Sequence, residues 1–143
     1  MSFDLNQCIG FVTDTAIKKI SEDFNRRLEK KGSTRIQWVA LYFLSKAEKP
    51  MRQKELAVLM NIQDPTLARL LDRLERDNLI NRIENKADKR VKFLELTEMG
   101  QEKVSSLMPV GEHFSNLLLE DVSKQELDTF EMVLSKMLCN IKK

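Results

Sequence analysis

Histidine and cysteine are scarce in this 143-residue chain: His113 is the single histidine, and Cys8 and Cys139 stand at opposite ends. Those residues match no zinc spacing and no CxxC pair, so no metal centre is expected. There is no Gly-rich phosphate loop, no HExxH helix and no set of partners that would make His113 part of a nucleophilic triad. An enzyme is therefore not expected, and neither is a bound cofactor. Apolar runs are short as well. None approaches the roughly 20 residues of a membrane span, and the first residues carry no signal-peptide pattern. No membrane partner is expected, and a cytoplasmic location follows by default. What is present is 42% hydrophobic and 32% charged residues. This composition suits a helix-rich chain large enough to bury a core as one domain, residues 1–143.

The net charge of +2 is uninformative until it is divided along the chain. Residues 1–92 hold 19 basic and 13 acidic side chains, a net +6, whereas residues 93–143 hold 5 and 9, a net −4. The loop 81–92 alone contains Arg82, Lys86, Lys89, Arg90 and Lys92 against Glu84 and Asp88. Attraction to phosphate should concentrate there and leave the C-terminal segment away from nucleic acid.

Apolar spacing reads as helix almost throughout. Leu5, Ile9, Val12, Ala16, Ile20, Phe24 and Leu28 recur at steps of three and four, predicting one long helix over 4–31 that Gly32 and Ser33 stop. A second helix is expected over 35–46, with Trp38, Leu41, Tyr42 and Leu44 available for burial, and a third over 52–61. Asp64 reads as the N-cap of a fourth, with Pro65 at its first position, running through Asp77 to Asn78 as the terminating residue. Short apolar clusters at 79–83 and 91–96 flank a polar ENKADKR loop, the pattern of a hairpin. Thr97 can cap a helix that runs to about Glu120, with Pro109 and Gly111 expected to kink or interrupt it. Ser123 and Glu126 form a capping box for a last helix, whose Leu127, Phe130, Leu134, Met137 and Ile141 follow a 3-4-3-4 seam.

Residues 53–80 carry the spacing of a helix-turn-helix. Ala57 sits where two helices must touch, Asn61 falls at the tight turn, and Ile62, Leu67 and Leu70 hold the second helix across the first. That arrangement projects a short rigid helix, and a major groove is about wide enough to admit one. The hairpin after it is then a wing. The expected fold is mainly α with a small β-hairpin wing: a winged helix-turn-helix over about 35–100, flanked by helices over about 1–31 and 101–143. The lobe is too small to cover the apolar seams of both flanking regions. Leu5, Ile9 and Val12 at one end, and Leu127, Phe130, Leu134, Met137 and Ile141 at the other, are therefore expected to pair with a second copy of the chain.

The run DRLERDNLINRIENKADKRVKFLELTEMG resembles the signature of the MarR family of bacterial transcriptional regulators. The family's Leu-rich recognition helix ending in Gly-Leu, its Asp-x-Arg wing and its Leu-Thr-x-x-Gly closure fall on Leu74, Asn78-Leu79, Asp88-x-Arg90 and Leu96-Thr97-x-x-Gly100. Asn78 stands where Gly is usual, and Gln63 and Asp64 replace small residues common at the start of the recognition helix. The resemblance implies a winged helix homodimer that binds a pseudo-palindromic operator in double-stranded DNA, represses transcription and is released by a small-molecule effector or an oxidant. It carries Thr66, Arg69 and Arg73 over as recognition-helix residues and Arg90 as the wing-tip residue. Gln63, Asp64 and Pro65, with Lys86, Asp88 and Lys89, complete the expected DNA-facing set.

Physically, Arg69 and Arg73 lie one turn apart and can bond guanine edges or phosphates, while Arg90 can enter a narrow minor groove. Asp88 is better placed to orient Arg90 than to meet DNA. Surface ion pairs with Asp72, Glu75 or Asp77 are the ordinary alternative for the helix arginines. Cys8 lacks the neighbours that would make it a reactive sensor, since the sole tyrosine is Tyr42, and it reads as a spectator thiol. Cys139 reads as packing in the seam. The effector's contact residues are not assigned, although the methionines and phenylalanines offer an adaptable lining. The competing reading is a winged-helix protein-interaction module without operator specificity, which would expose apolar groups on the outer face of 65–76. A non-specific architectural DNA binder would carry a higher net charge than +2.

Overall fold

The computed structural model describes residues Ser2–Lys143. The chain divides into two compact units, 1–110 and 111–143. In the first, Asp4 accepts a hydrogen bond from the backbone N–H of Asn6 (3.0 Å) and caps a 3-10 turn, Leu5–Gln7. Cys8 is extended, and helix α1 runs Ile9–Glu29. The single helix expected over 4–31 is thus broken at Cys8. The Asp4 cap satisfies the turn before it, and Gly10 in the following turn is a poor helix former. Leu5 therefore precedes α1 rather than extending its stripe. Gly32, at φ 75°, ends the connection after α1, and α2 occupies Arg35–Lys46 as expected.

Met51–Arg52 forms a two-residue strand, β1, before α3 (Gln53–Met60). This third strand has no signature in the apolar pattern, which places Arg52 in the helix instead. Asn61 takes the left-handed conformation (φ 54°, ψ 47°) and its N–H bonds back to α3, making the tight turn of the motif. Helix α4 spans Asp64–Arg76. Its N-cap is Gln63 rather than Asp64, without a side-chain cap bond. Asp64 is the first helical residue and Pro65 follows it, where a missing N–H costs nothing. The acidic group still meets the positive end of the helix. Asp77 caps the other end and Asn78 stands at φ 62° in the expected terminating role.

Strands β2 (Ile80–Glu84) and β3 (Lys92–Leu96) are antiparallel, with Arg82 opposite Leu94. β1 adds to the far edge of β3, so the sheet order is β1-β3-β2. Mainly helical, with this small antiparallel sheet as its wing, the protein is a winged helix-turn-helix.

The Leu96-Thr97-x-x-Gly100 closure has a physical reason. The Thr97 hydroxyl donates to the Asn78 carbonyl (2.6 Å) and accepts from the Gly100 N–H (3.0 Å). The Thr97 N–H reaches the Leu79 carbonyl (3.1 Å). One residue thereby caps α5 (Glu98–Leu118) and clasps the turn that follows α4. A Cβ on Gly100 would lie 2.1 Å from the Leu79 carbonyl oxygen, so only glycine allows this approach.

The core of the first unit is built from Leu28 of α1, Trp38, Ala40, Leu41 and Leu44 of α2, Leu56 and Ala57 of α3, the leucines of α4, and Leu94 of β3, with Val104 and Leu107 from α5. The backbone of α5 stays helical through Pro109, so Pro109 and Gly111 do not interrupt the helix. The second unit begins at Gly111 and contains the end of α5 and α6 (Lys124–Ile141). The capping box is formed: the Ser123 N–H donates to the Glu126 carboxylate (2.9 Å), and the Glu126 N–H donates to the Ser123 hydroxyl (3.1 Å). No residue of α6 is buried.

Candidate nucleic-acid interface

Helix α4 separates its two faces cleanly. Leu67, Leu70, Leu71 and Leu74 are buried, and Leu67, Leu71 and Leu74 are fully so. This row fixes the helix against α2 and α3 and leaves the opposite face to solvent. Thr66, Arg69, Asp72, Arg73 and Arg76 occupy that exposed face, and Gln63, Asp64 and Pro65 are exposed at its start. From Asn61 to Arg82 no large hydrophobic side chain is exposed. That polar face does not fit a helix meant to bury itself in a protein partner.

The side chains of Arg69, Arg73 and Arg76 have no ion-pair or hydrogen-bond partner among the described residues. The ordinary alternative for these arginines, pairing with the carboxylates of their own helix, is not what forms. Asp72 instead accepts a hydrogen bond from Arg82 of β2 at 2.7 Å. Arg82 was counted in the charge of the loop, but its reach across to the helix left no sequence signal.

The wing tip is shaped by two acceptor side chains. Asn85 Oδ1 receives the N–H groups of Ala87 (2.8 Å) and Asp88 (3.4 Å), turning the chain out of β2. Asp88 receives the backbone N–H, Nε and Nη2 of Arg90 at 3.0, 3.0 and 3.2 Å. These bonds hold the Asp88 carboxyl below the usual carboxylate range, the side-chain bond from Arg90 contributing most. Asp88 thus orients Arg90, whose side chain remains 92% exposed. Lys86 and Lys89 are exposed beside it without partners, while Lys92 pairs with Glu84 (3.0 Å).

Wing and helix meet at a groove of about 470 Å³ lined by Arg52, Gln53, Lys54, Asp64, Asp88, Arg90, Val91 and Lys92. Asp64 and the Asp88–Arg90 pair, separated by more than twenty residues, therefore share one surface. A neighbouring cleft of about 860 Å³ brings Gln63, Asp64 and Pro65 together with Lys54 and Asn61. Arg52 and Lys54 add positive charge that motif reading had not assigned. Arg52 is held by its N-cap position on α3 and by the Phe93 ring 5.8 Å from its guanidinium carbon.

Leu5, Ile9, Val12, Phe130 and Ile141 are exposed, and Leu127, Leu134 and Met137 are half-buried. Cys8 is half-buried and Cys139 exposed, both as free thiols. Among the described residues no cluster of His, Cys, Asp and Glu could hold a metal ion, and no helix is long and apolar enough to cross a membrane.

Residues 34–92 match the family model described as the MarR family. Among solved structures, the chain is similar to the S. aureus MepR–DNA complex, with TM-score 0.86 and 24% identity over 97% of this chain and 99% of that one. It is similar to AbsC, a MarR family transcriptional regulator from Streptomyces coelicolor, with TM-score 0.86 and 22% identity over 99% and 97% of the two chains. It is also similar to the PcaV transcriptional regulator from Streptomyces coelicolor in complex with its natural ligand, with TM-score 0.79 and 18% identity over 96% of each chain. At these identities the likeness is one of fold.

Proposed function

We propose that this protein reads operator DNA as a homodimer: residues 34–92 match the MarR family model, and the chain folds as solved transcriptional regulators do. In this reading α4 enters the major groove. Arg69 and Arg73 meet base edges or phosphates, with Thr66 and the Gln63–Pro65 segment beside them. Arg90, steadied by Asp88, enters the adjacent minor groove, where a narrow groove focuses negative potential. Lys86 and Lys89, joined by Arg52 and Lys54, neutralise phosphates along the rim.

The observation that carries the reading is the outer face of α4. It combines three arginine side chains with no partner among the described residues and a buried leucine row that holds their helix rigid. Rigid presentation lowers the ordering cost of binding, and unpaired guanidinium groups need not first break an internal ion pair.

A second copy supplies what the single chain lacks. Of the nineteen exposed large hydrophobic side chains among the described residues, fifteen fall in 3–17 or 117–141. Pairing each of these segments with a partner copy covers its apolar side chains, and the two-fold axis sets two copies of α4 to reach major grooves about 34 Å apart along one side of the duplex. The operator is then pseudo-palindromic. We assign the protein as a repressor whose release follows binding of a small molecule. Such a molecule favours a lobe orientation that no longer matches the groove spacing, and it acts only to the extent of its differential affinity for the two orientations. The MepR structure with DNA and the PcaV structure with its ligand support these two halves of the reading.

The test is binding to the DNA upstream of the protein's own gene and to random DNA, across a salt series. Tight binding to the upstream DNA, exceeding random DNA and falling steeply with salt, is expected. Equal and weak binding to both would exclude operator reading.

A further inference from the structure

The Arg82 side chain links two elements of the winged lobe. It leaves β2, crosses to α4 and donates from Nη2 to the Ala68 carbonyl (3.3 Å) and to Asp72 Oδ1 (2.7 Å). It is 23% exposed, and its Nε is buried with no partner. A buried donor without an acceptor is rare in folded proteins, and Asp72 is 59% exposed and so repays the guanidinium poorly. A leucine or methionine would fill the same position without those penalties. The arrangement is therefore better explained by what it does to its neighbours.

Two consequences follow from the position of Asp72. It lies on the reading face, three residues after Arg69, directly before Arg73 and four residues before Arg76. On a helix, partners three and four residues apart pair readily. Asp72 could therefore hold Arg69 or Arg76 against the helix surface, yet neither is paired. With its carboxylate bonded to Arg82, Asp72 leaves the reading arginines extended. The same bond joins the middle of α4 to the strand that leads into the wing, so Arg69 and Arg90 are presented from one rigid body. We infer that Arg82 is a positioning residue for DNA reading: it ties β2 to α4 and occupies a carboxylate that would otherwise lie within reach of Arg69 and Arg76.

This inference rests on the DNA-reading function proposed above, and the experiment separates the two. A duplex selected from a random pool on the wild-type protein serves as the probe. Failure of the wild type to select any sequence overturns the DNA reading and this inference with it. Given a selected duplex, Arg82→Met is expected to weaken binding by about tenfold, within the range found for contacting pairs. Asp72→Ala loses the tie but cannot capture Arg69 or Arg76, so its loss should be about threefold. The double variant Arg82→Met/Asp72→Ala should bind like Asp72→Ala and therefore better than Arg82→Met. A merely structural role for Arg82 would leave the double variant at least as weak as Arg82→Met, and that result, or full binding by Arg82→Met, overturns the inference. If Arg82→Met does not fold, Asp72→Ala decides alone: a modest loss in a folded protein supports the tie, and unchanged binding overturns it.

Discussion

The winged lobe and the chain ends use apolar residues in opposite ways. In the lobe, Leu28, Leu41, Leu56, Leu67, Leu71, Leu74, Ile80, Leu94 and Leu107 are all below 2% exposed. In α6 no residue is buried, and Phe130 and Ile141 stand 56% and 79% exposed. Both regions have regular apolar spacing, so spacing alone does not tell a completed core from one awaiting a partner. The difference is in closure. Four helices and a sheet surround the α4 leucines, whereas α6 offers an apolar face with no comparable enclosure in its own unit. One region is a finished platform that holds the exposed arginines of α4. The other has the character of half an interface.

Changes in the lobe should be the costliest. Leu71→Ala removes a fully buried side chain and is expected to destabilise the fold by about 2–5 kcal/mol in chemical denaturation. Gly100→Ala should cost about 3 kcal/mol, because its methyl must displace the Leu79 carbonyl that also accepts the Thr97 N–H. At the chain ends the same kind of change should act on association instead. Phe130→Ala is expected to weaken the dimer by about 2 kcal/mol, near 30-fold, in sedimentation at graded concentration, with little change in the folding of the lobe. A loss of lobe stability equal to that of Leu71→Ala would erase the distinction between the two regions.

The wing should respond differently again. Arg90→Ala is expected to cost about 1–3 kcal/mol of DNA affinity and to shallow the salt slope, with the melting temperature unchanged because the side chain is solvent-exposed. The smallest effect should come from Ser123→Ala, about 1 kcal/mol from the loss of the α6 cap. Its pH counterpart follows from Glu126, whose carboxyl is held below its usual pKa by the backbone and side-chain bonds at Ser123. A carboxyl lowered on folding contributes stability above its unfolded pKa and loses it as pH falls through the folded value. Acid should therefore fray the start of α6 in circular dichroism, and Glu126→Gln should remove that pH dependence.

Much of this was legible in the residues, for identifiable reasons. Asn61 and Asn78 mark left-handed positions because asparagine tolerates them and the helices on either side end there. Ser123 and Glu126 announce a cap because the two bonds are local. Contacts distant in sequence were not legible. The strand Met51–Arg52 is two residues long and exists through its pairing with Phe93 and Leu94. The tie from Arg82 to Asp72 depends on where the hairpin lies against α4, which no spacing reveals. The start of α4 was misplaced by one residue because Asp64 and Pro65 fit an N-cap pattern as well as the helical turn they occupy. The break at Cys8 was missed because the apolar stripe continues across it while the backbone does not.

The most direct single measurement is the stoichiometry of the protein on a duplex it selects, by sedimentation equilibrium of the free chain and of the complex. Twice the 16.7 kDa of one chain for the free protein, and two copies per duplex, are expected. A single-chain mass at every concentration, with one copy or none on the DNA, would contradict the reading of the terminal helices as half an interface and of α4 as one of a pair.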